Sequence, residues 1–167
     1  MIKKIILFVL IVFAIKGCTK DDICPEGTAI TANLLISFND IANPLNTKEV
    51  TVLSVLTNNP DSIAVVNLAT TASITIPLNT NSDTTKYLFK KSTLAENGTV
   101  LSENIDKVMF IYQRRNGYVN RACGFNTEFF NLETNLEPEG NANWIQEIIV
   151  KRDTVNDENS DHITMLH

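Results

Sequence analysis

Lys107-Val108-Met109-Phe110-Ile111-Tyr112-Gln113-Arg114-Arg115-Asn116-Gly117 is the stretch from which the fold can be read. Val108, Phe110 and Tyr112 alternate with Lys107, Met109, Ile111 and Gln113, the period of two that puts every second side chain on one face of a strand. Asn116-Gly117 is the dipeptide favoured in two-residue hairpin turns, because both residues tolerate positive φ. A hairpin is therefore predicted, with residues 118–124 as the returning strand.

The same grammar repeats on both sides. Residues 34–38 form an apolar run that stops at Asn39-Asp40, a turn signal reinforced by Asn43-Pro44. Residues 50–56 begin with β-branched side chains and stop at Asn58-Asn59-Pro60-Asp61. Residues 62–68 and 72–78 are short β-branched runs, and residues 86–90 follow the polar cluster Asn79-Thr80-Asn81-Ser82-Asp83. Downstream, residues 129–136, 144–152 and 163–166 read as strands. Trp144, Ile145, Ile148 and Ile149 would also fit a helical stripe, but Ile148 and Val150 fit a strand, and the β-branched content favours the strand. Short runs at intervals of about ten residues, punctuated by Asn, Asp, Pro and Ser, predict an all-β fold, a single immunoglobulin-like or related antiparallel β-sandwich.

The first residues follow a different pattern. Lys3 and Lys4 precede an apolar run from Ile5 to Ile15, about eleven residues, short of the roughly 20 that a membrane-crossing helix needs. Residues 1–17 are read as an export signal. Ile15-Lys16-Gly17-Cys18 resembles the lipobox cut by lipoprotein signal peptidase, with Lys16 departing from the usual small or apolar residue. That resemblance implies that Cys18 becomes an acylated N-terminus. The other reading is an ordinary signal peptide that leaves Cys18 a free thiol. The organisation expected is a leader at 1–17, an acylated Cys with its tether at 18–32, and a sandwich domain at 33–167.

Charge and cysteines extend the reading. Removing residues 1–17 takes away Lys3, Lys4 and Lys16 and no acid, so the formal charge moves from −5 to −8. An acidic domain with no Lys/Arg cluster larger than Lys90-Lys91 and Arg114-Arg115 is a poor partner for nucleic acid. With Cys18 carrying lipid, Cys24 and Cys123 remain as an even pair in an oxidising compartment, and a disulfide between them is expected. Two separate buried thiols are the alternative.

Lys20-Asp21-Asp22, just past the anchor, resembles the surface-export signal of Bacteroidetes lipoproteins, and reads equally well as a solvated tether. A wider resemblance, to an uncharacterised family of Bacteroidetes lipoproteins, rests on three stretches. Lys20-Asp21-Asp22-Ile23-Cys24 precedes the run at 34–38 and its Asn39-Asp40 ending. Phe110-Ile111-Tyr112 leads through Arg115 to Arg121-Ala122-Cys123-Gly124-Phe125, and Asp161-His162-Ile163-Thr164 opens the last strand. The likeness spans nearly the whole mature chain. It implies a small lipid-anchored domain of the outer membrane, facing the cell surface or the periplasm, and assigns no activity.

Chemistry has few candidates. His162 and His167 are the only histidines. Five residues apart on one strand they would point to opposite faces, and no HExxH or CxxC spacing accompanies them. They are read as surface or turn residues. No Gly-x-Ser-x-Gly elbow is present. Asp106, Glu128, Glu133 and Glu147 could supply a glycosidase pair, but nineteen acids provide pairs by chance. Tyr87, Tyr112, Tyr118 and Trp144 are candidate sugar-stacking rings, with Tyr112 and Trp144 assigned rather to the core. Ser62, Thr84 and Thr154, in Asp61-Ser62-Ile63, Asp83-Thr84-Thr85 and Asp153-Thr154-Val155, resemble the O-glycosylation triplet of Bacteroidetes envelope proteins. The Asn97-Gly98-Thr99 sequon has no meaning in a bacterium lacking N-linked machinery. The expectation is a non-enzymatic envelope lipoprotein without a cofactor, a structural or protein-interaction module. The alternative is a lipoprotein that binds a solute or glycan.

Overall fold

The structure, a computed structural model, describes residues 23–28 and 30–167. The leader, Cys18 and Lys20-Asp21-Asp22 lie outside the described residues. The chain forms two compact units. Thr31–Gly117 and Thr127–His167 make the larger; among the described residues, Tyr118–Asn126 with residues 23–28 and 30 make the smaller.

Ten strands form two sheets. The first sheet holds β1 (Leu34–Asp40), β2 (Asn43–Thr47), β5 (Ser73–Ile76), β9 (Glu147–Val150) and β10 (Ile163–Leu166). The second holds β3 (Val50–Thr57), β4 (Ala64–Thr71), β6 (Thr84–Leu94), β7 (Val100–Asn120) and β8 (Gly124–Leu136), in the order β4-β3-β6-β7-β8. The fold is all-β, and its two sheets share one core, as in a sandwich. It departs from a purely antiparallel sandwich at one place. β1 and β10 run parallel, Ile36 opposite Ile163 and Asn39 opposite Leu166, so the first sheet is mixed. Parallel strands need a long connection between them, and here nearly the whole domain supplies it.

Strand period explains the core. Leu34, Ile36 and Phe38 of β1 meet Ile163 and Met165 of β10 from one sheet; Leu53, Val55, Phe89, Phe110 and Phe129 come from the other. All are fully buried, each side chain contributing roughly 1.5–3 kcal/mol relative to exposure. Val108, Phe110 and Tyr112 are buried together, as the alternation in β7 requires. Trp144 and Ile145 lie in the bend before β9. The Trp144 indole N–H donates to the Phe89 carbonyl at 3.0 Å, and of the strand expected over 144–152 only Glu147–Val150 is strand.

Three local features depart from the sequence reading or go beyond it. The first is the hairpin turn. β7 runs straight through Asn116-Gly117, neither of which has positive φ. Asn116 Oδ1 instead accepts from the Thr127 hydroxyl at 2.9 Å. The chain reverses after Asn120, whose Oδ1 accepts the N–H groups of Ala122 at 2.9 Å and Cys123 at 2.8 Å, and Gly124 then takes a φ of 72°. Residues 118–124 therefore do not form the returning strand; β8 does. The second is the Asn-Gly pair at 97–98, which makes the turn between β6 and β7. Gly98 has φ 79° and donates to the Ala95 carbonyl at 2.9 Å, while the Asn97 side chain caps Thr99 N–H at 3.0 Å. The third is Asn43-Pro44, which opens the exposed edge strand β2. Pro is tolerated on an edge because a missing N–H there breaks no ladder.

Candidate functional site

The larger unit has an open groove of about 380 Å³. Its walls are Thr57, Asn58 and Asn59 after β3, Pro77, Leu78 and Asn79 after β5, and Thr84, Thr85, Lys86 and Tyr87 at the start of β6. Turn chemistry builds it. Asn59 Oδ1 accepts from the Thr57 hydroxyl and from the N–H groups of Asp61 and Ser62 at 3.0–3.1 Å. Thr85 Oγ1 accepts from Asn79 N–H at 2.8 Å and pairs with the Tyr112 hydroxyl at 2.6 Å. The volume falls in the usual range of ligand pockets, which are mostly apolar. Here too apolar atoms make up the larger part of the lining, with amides, hydroxyls and one ammonium set among them.

Of the four candidate sugar-stacking rings, the structure buries three. Tyr87 sits under the groove with its hydroxyl donating to the Pro77 carbonyl at 2.7 Å, and desolvation pushes its pKa up to about 12. Tyr112 donates to the Asn79 carbonyl at 2.9 Å, and burial raises it too. Tyr112 and Trp144 are core residues, as expected. Tyr118 alone of the four is exposed.

The histidines were expected at the surface or in turns; both are buried, His162 in a bend just before β10. His162 Nδ1 accepts from Leu35 N–H at 3.1 Å. This bond requires an unprotonated Nδ1, and desolvation, followed by the Arg152 charge, holds the ring pKa below its ordinary value. His167 packs edge-on against Phe38 and Trp144 at 6.3 and 5.8 Å, and its carbonyl accepts from the Lys48 ammonium at 2.8 Å. Desolvation lowers it as well. The sequence signal for burial was the apolar run Ile163-Thr164-Met165-Leu166 between them.

Among the four carboxylates, Asp106 is buried. Its Oδ2 accepts from Ile145 N–H at 2.7 Å, and desolvation raises its pKa. Glu128 is paired with Arg115, whereas Glu133 and Glu147 are exposed. Among the described residues, no group of three or more His, Cys, Asp or Glu is placed to hold a metal ion. Ser62 is exposed in the β3–β4 turn with its hydroxyl donating to the Asn59 carbonyl at 3.1 Å. Thr84 is half-buried at the groove, and Thr154 half-buried beside Asp153.

The smaller unit is organised by a disulfide. Cys24 and Cys123 are bonded, with Cα atoms 4.8 Å apart and 99 positions between them in sequence. Beside the bridge, Pro25 to Thr28 form a tight turn with Gly27 at φ 79°. At the other end of the bridge, Tyr118 and Phe125 flank the β7–β8 turn and pair edge to face at 5.4 Å. Phe125 was not singled out from the sequence. An aromatic ring set in Cys123-Gly124-Phe125-Asn126, a turn-like context, was the available signal.

A profile described as a family of unknown function (DUF6452) matches residues 49–167. No curated protein and no solved structure matches the chain.

Proposed function

The chain belongs to DUF6452, and within that family of unknown function we propose that it is an exported, lipid-anchored envelope protein whose β domain is a protein-interaction module. The observation that carries this reading is the Cys24–Cys123 bridge. Such bonds persist in oxidising compartments and are rare where thiols are kept reduced. Together with the charged start and short apolar run of residues 1–17, it supports export; the lipobox-like Ile15-Lys16-Gly17-Cys18 supports acylation of Cys18. The likeness of Lys20-Asp21-Asp22 to a Bacteroidetes surface signal favours the outer membrane.

For the interaction role, the support is the rim of the second sheet. β4 is one of its two outer strands, its pairing with β3 is irregular, Leu68 within it is 55 % exposed, and Ile63 just before it is exposed too. A free strand edge carries unpaired N–H and C=O groups that a partner strand can use. A photo-crosslinking residue at Leu68, in the intact envelope, tests this. A discrete adduct with one protein, absent when the label sits on the exposed Glu133, is the expected result. No adduct at either position would refute it.

A second reading is supported by the groove, whose amides, hydroxyls and one ammonium could orient a ligand: a lipoprotein that binds a solute or glycan. It predicts saturable oligosaccharide binding that Asn58→Ala and Lys86→Ala abolish. The O-glycosylation reading of Ser62, Thr84 and Thr154 predicts mass heterogeneity in the native host that vanishes when the three are changed to Ala.

A further inference from the structure

We infer that the tip of the β7–β8 hairpin is a membrane contact, docking on the headgroup and upper acyl region of the bilayer that holds the lipid on Cys18. This rests on the lipid-anchor reading above. Tyr118 and Phe125 are 64 % and 70 % exposed, and their edge-to-face contact leaves most of both rings to the surroundings. In the same unit Ile23 is 77 % exposed. Apolar residues scattered singly need no explanation, whereas two large exposed rings in mutual contact mark a candidate contact surface.

The bridge identifies the occupant. It ties the tip to Cys24, six positions after Cys18. At 3.3–3.6 Å per residue the tether reaches at most roughly 20 Å. A bilayer with its headgroups is about 40–45 Å thick, so an acylated Cys18 confines the tip to the surface of one leaflet. Tyr is enriched at that depth, where an apolar ring and a polar hydroxyl are both satisfied. Exposed Arg121 and Glu26 in this unit offset one another, so attraction comes from ring insertion and depends little on salt.

The test uses the full chain in proteoliposomes whose phospholipids carry bromine near the top of the acyl chains. Phe125→Trp reports at the tip, with Tyr118→Trp as an independent second probe. Trp144, the chain's one tryptophan, is buried and gives a constant background. The expected result is an indole emission that is shifted to the blue and loses most of its intensity to bromine. An acylated chain with unquenched, water-like emission overturns this inference and leaves the anchor standing. Blue-shifted emission indifferent to bromine overturns it in favour of a protein surface covering the tip. A chain whose mass lacks acyl groups overturns the anchor reading and this inference together.

Discussion

Asp106 is the residue whose chemistry is most constrained. Its side chain is fully buried, with one oxygen bonded to Ile145 N–H and the other without a partner among the described residues. Asp106→Ala removes the acceptor from a buried N–H and is expected to cost about 1–3 kcal/mol, measured by urea unfolding, whereas Asp106→Asn keeps an acceptor. The pH dependence follows from the raised pKa. In the folded chain the proton is retained above 3.8, where the unfolded chain has lost it. Asp106 therefore makes stability fall as pH rises through that window. Asp106→Asn removes this part of the fall; an unchanged slope would contradict the assignment.

His162 acts in the opposite sense. Its folded pKa lies below 6.5, so the unfolded state takes up the proton first. Stability is full above 6.5 and is lost as pH falls toward the folded value. His162→Gln offers a carbonyl to Leu35 N–H and should flatten the unfolding free energy over that range. A surface histidine would leave the curve unmoved. Neither burial was read from the sequence, since an isolated Asp or His carries no periodic signal of its own and only its neighbours mark it. Asp106 sits between Ile105 and Lys107, and only its inward phase, shared with Val108 and Phe110, marked it.

At the scale of elements, strand existence was legible and turn placement was not. The alternation over 107–113 held because the face it defines is buried, and Tyr87 and Phe89 of β6 follow the same logic, whereas β10 is buried at every position. The sequence contains Asn-Gly twice, at 97–98 and at 116–117. What separates them is register: β6 pairs with β7 from Thr84 opposite Ile111 to Leu94 opposite Val100, which forces the reversal at 95–99. Asn116 then lies mid-strand, and the reversal after β7 is fixed by Asn120, Gly124 and the disulfide. Gly98→Ala and Gly124→Ala, both at positive φ with nothing within 4 Å of an added Cβ, should each cost about 1–2 kcal/mol from backbone strain alone. Asn120→Ala should cost more than Asn116→Ala, because it frees two N–H groups and not one hydroxyl. Equal costs, read from thermal or urea melts, would move the turn back to Asn116-Gly117.

For the whole molecule, the mixed sheet was hidden because strand period says nothing about direction. The family match begins at residue 49 and so omits β1 and β2, although β1 is the strand through which β10 joins the sheet. The groove was equally illegible, since it joins three segments whose residues read separately as turns. The cysteine pairing was readable from parity and compartment alone. Replacing Cys24 and Cys123 by Ser opens a 99-residue separation and should lower unfolding stability by roughly 2–5 kcal/mol. A loss near zero would mean that the bridge constrains only the smaller unit.

Export followed by acylation is the claim on which compartment and membrane contact both depend. The intact mass of the protein extracted from its native membrane addresses it. The account predicts a chain that begins at Cys18, carries added acyl mass, and is two protons lighter than its reduced form. Protein recovered from the aqueous fraction with residues 1–17 still attached and no acyl mass would contradict it.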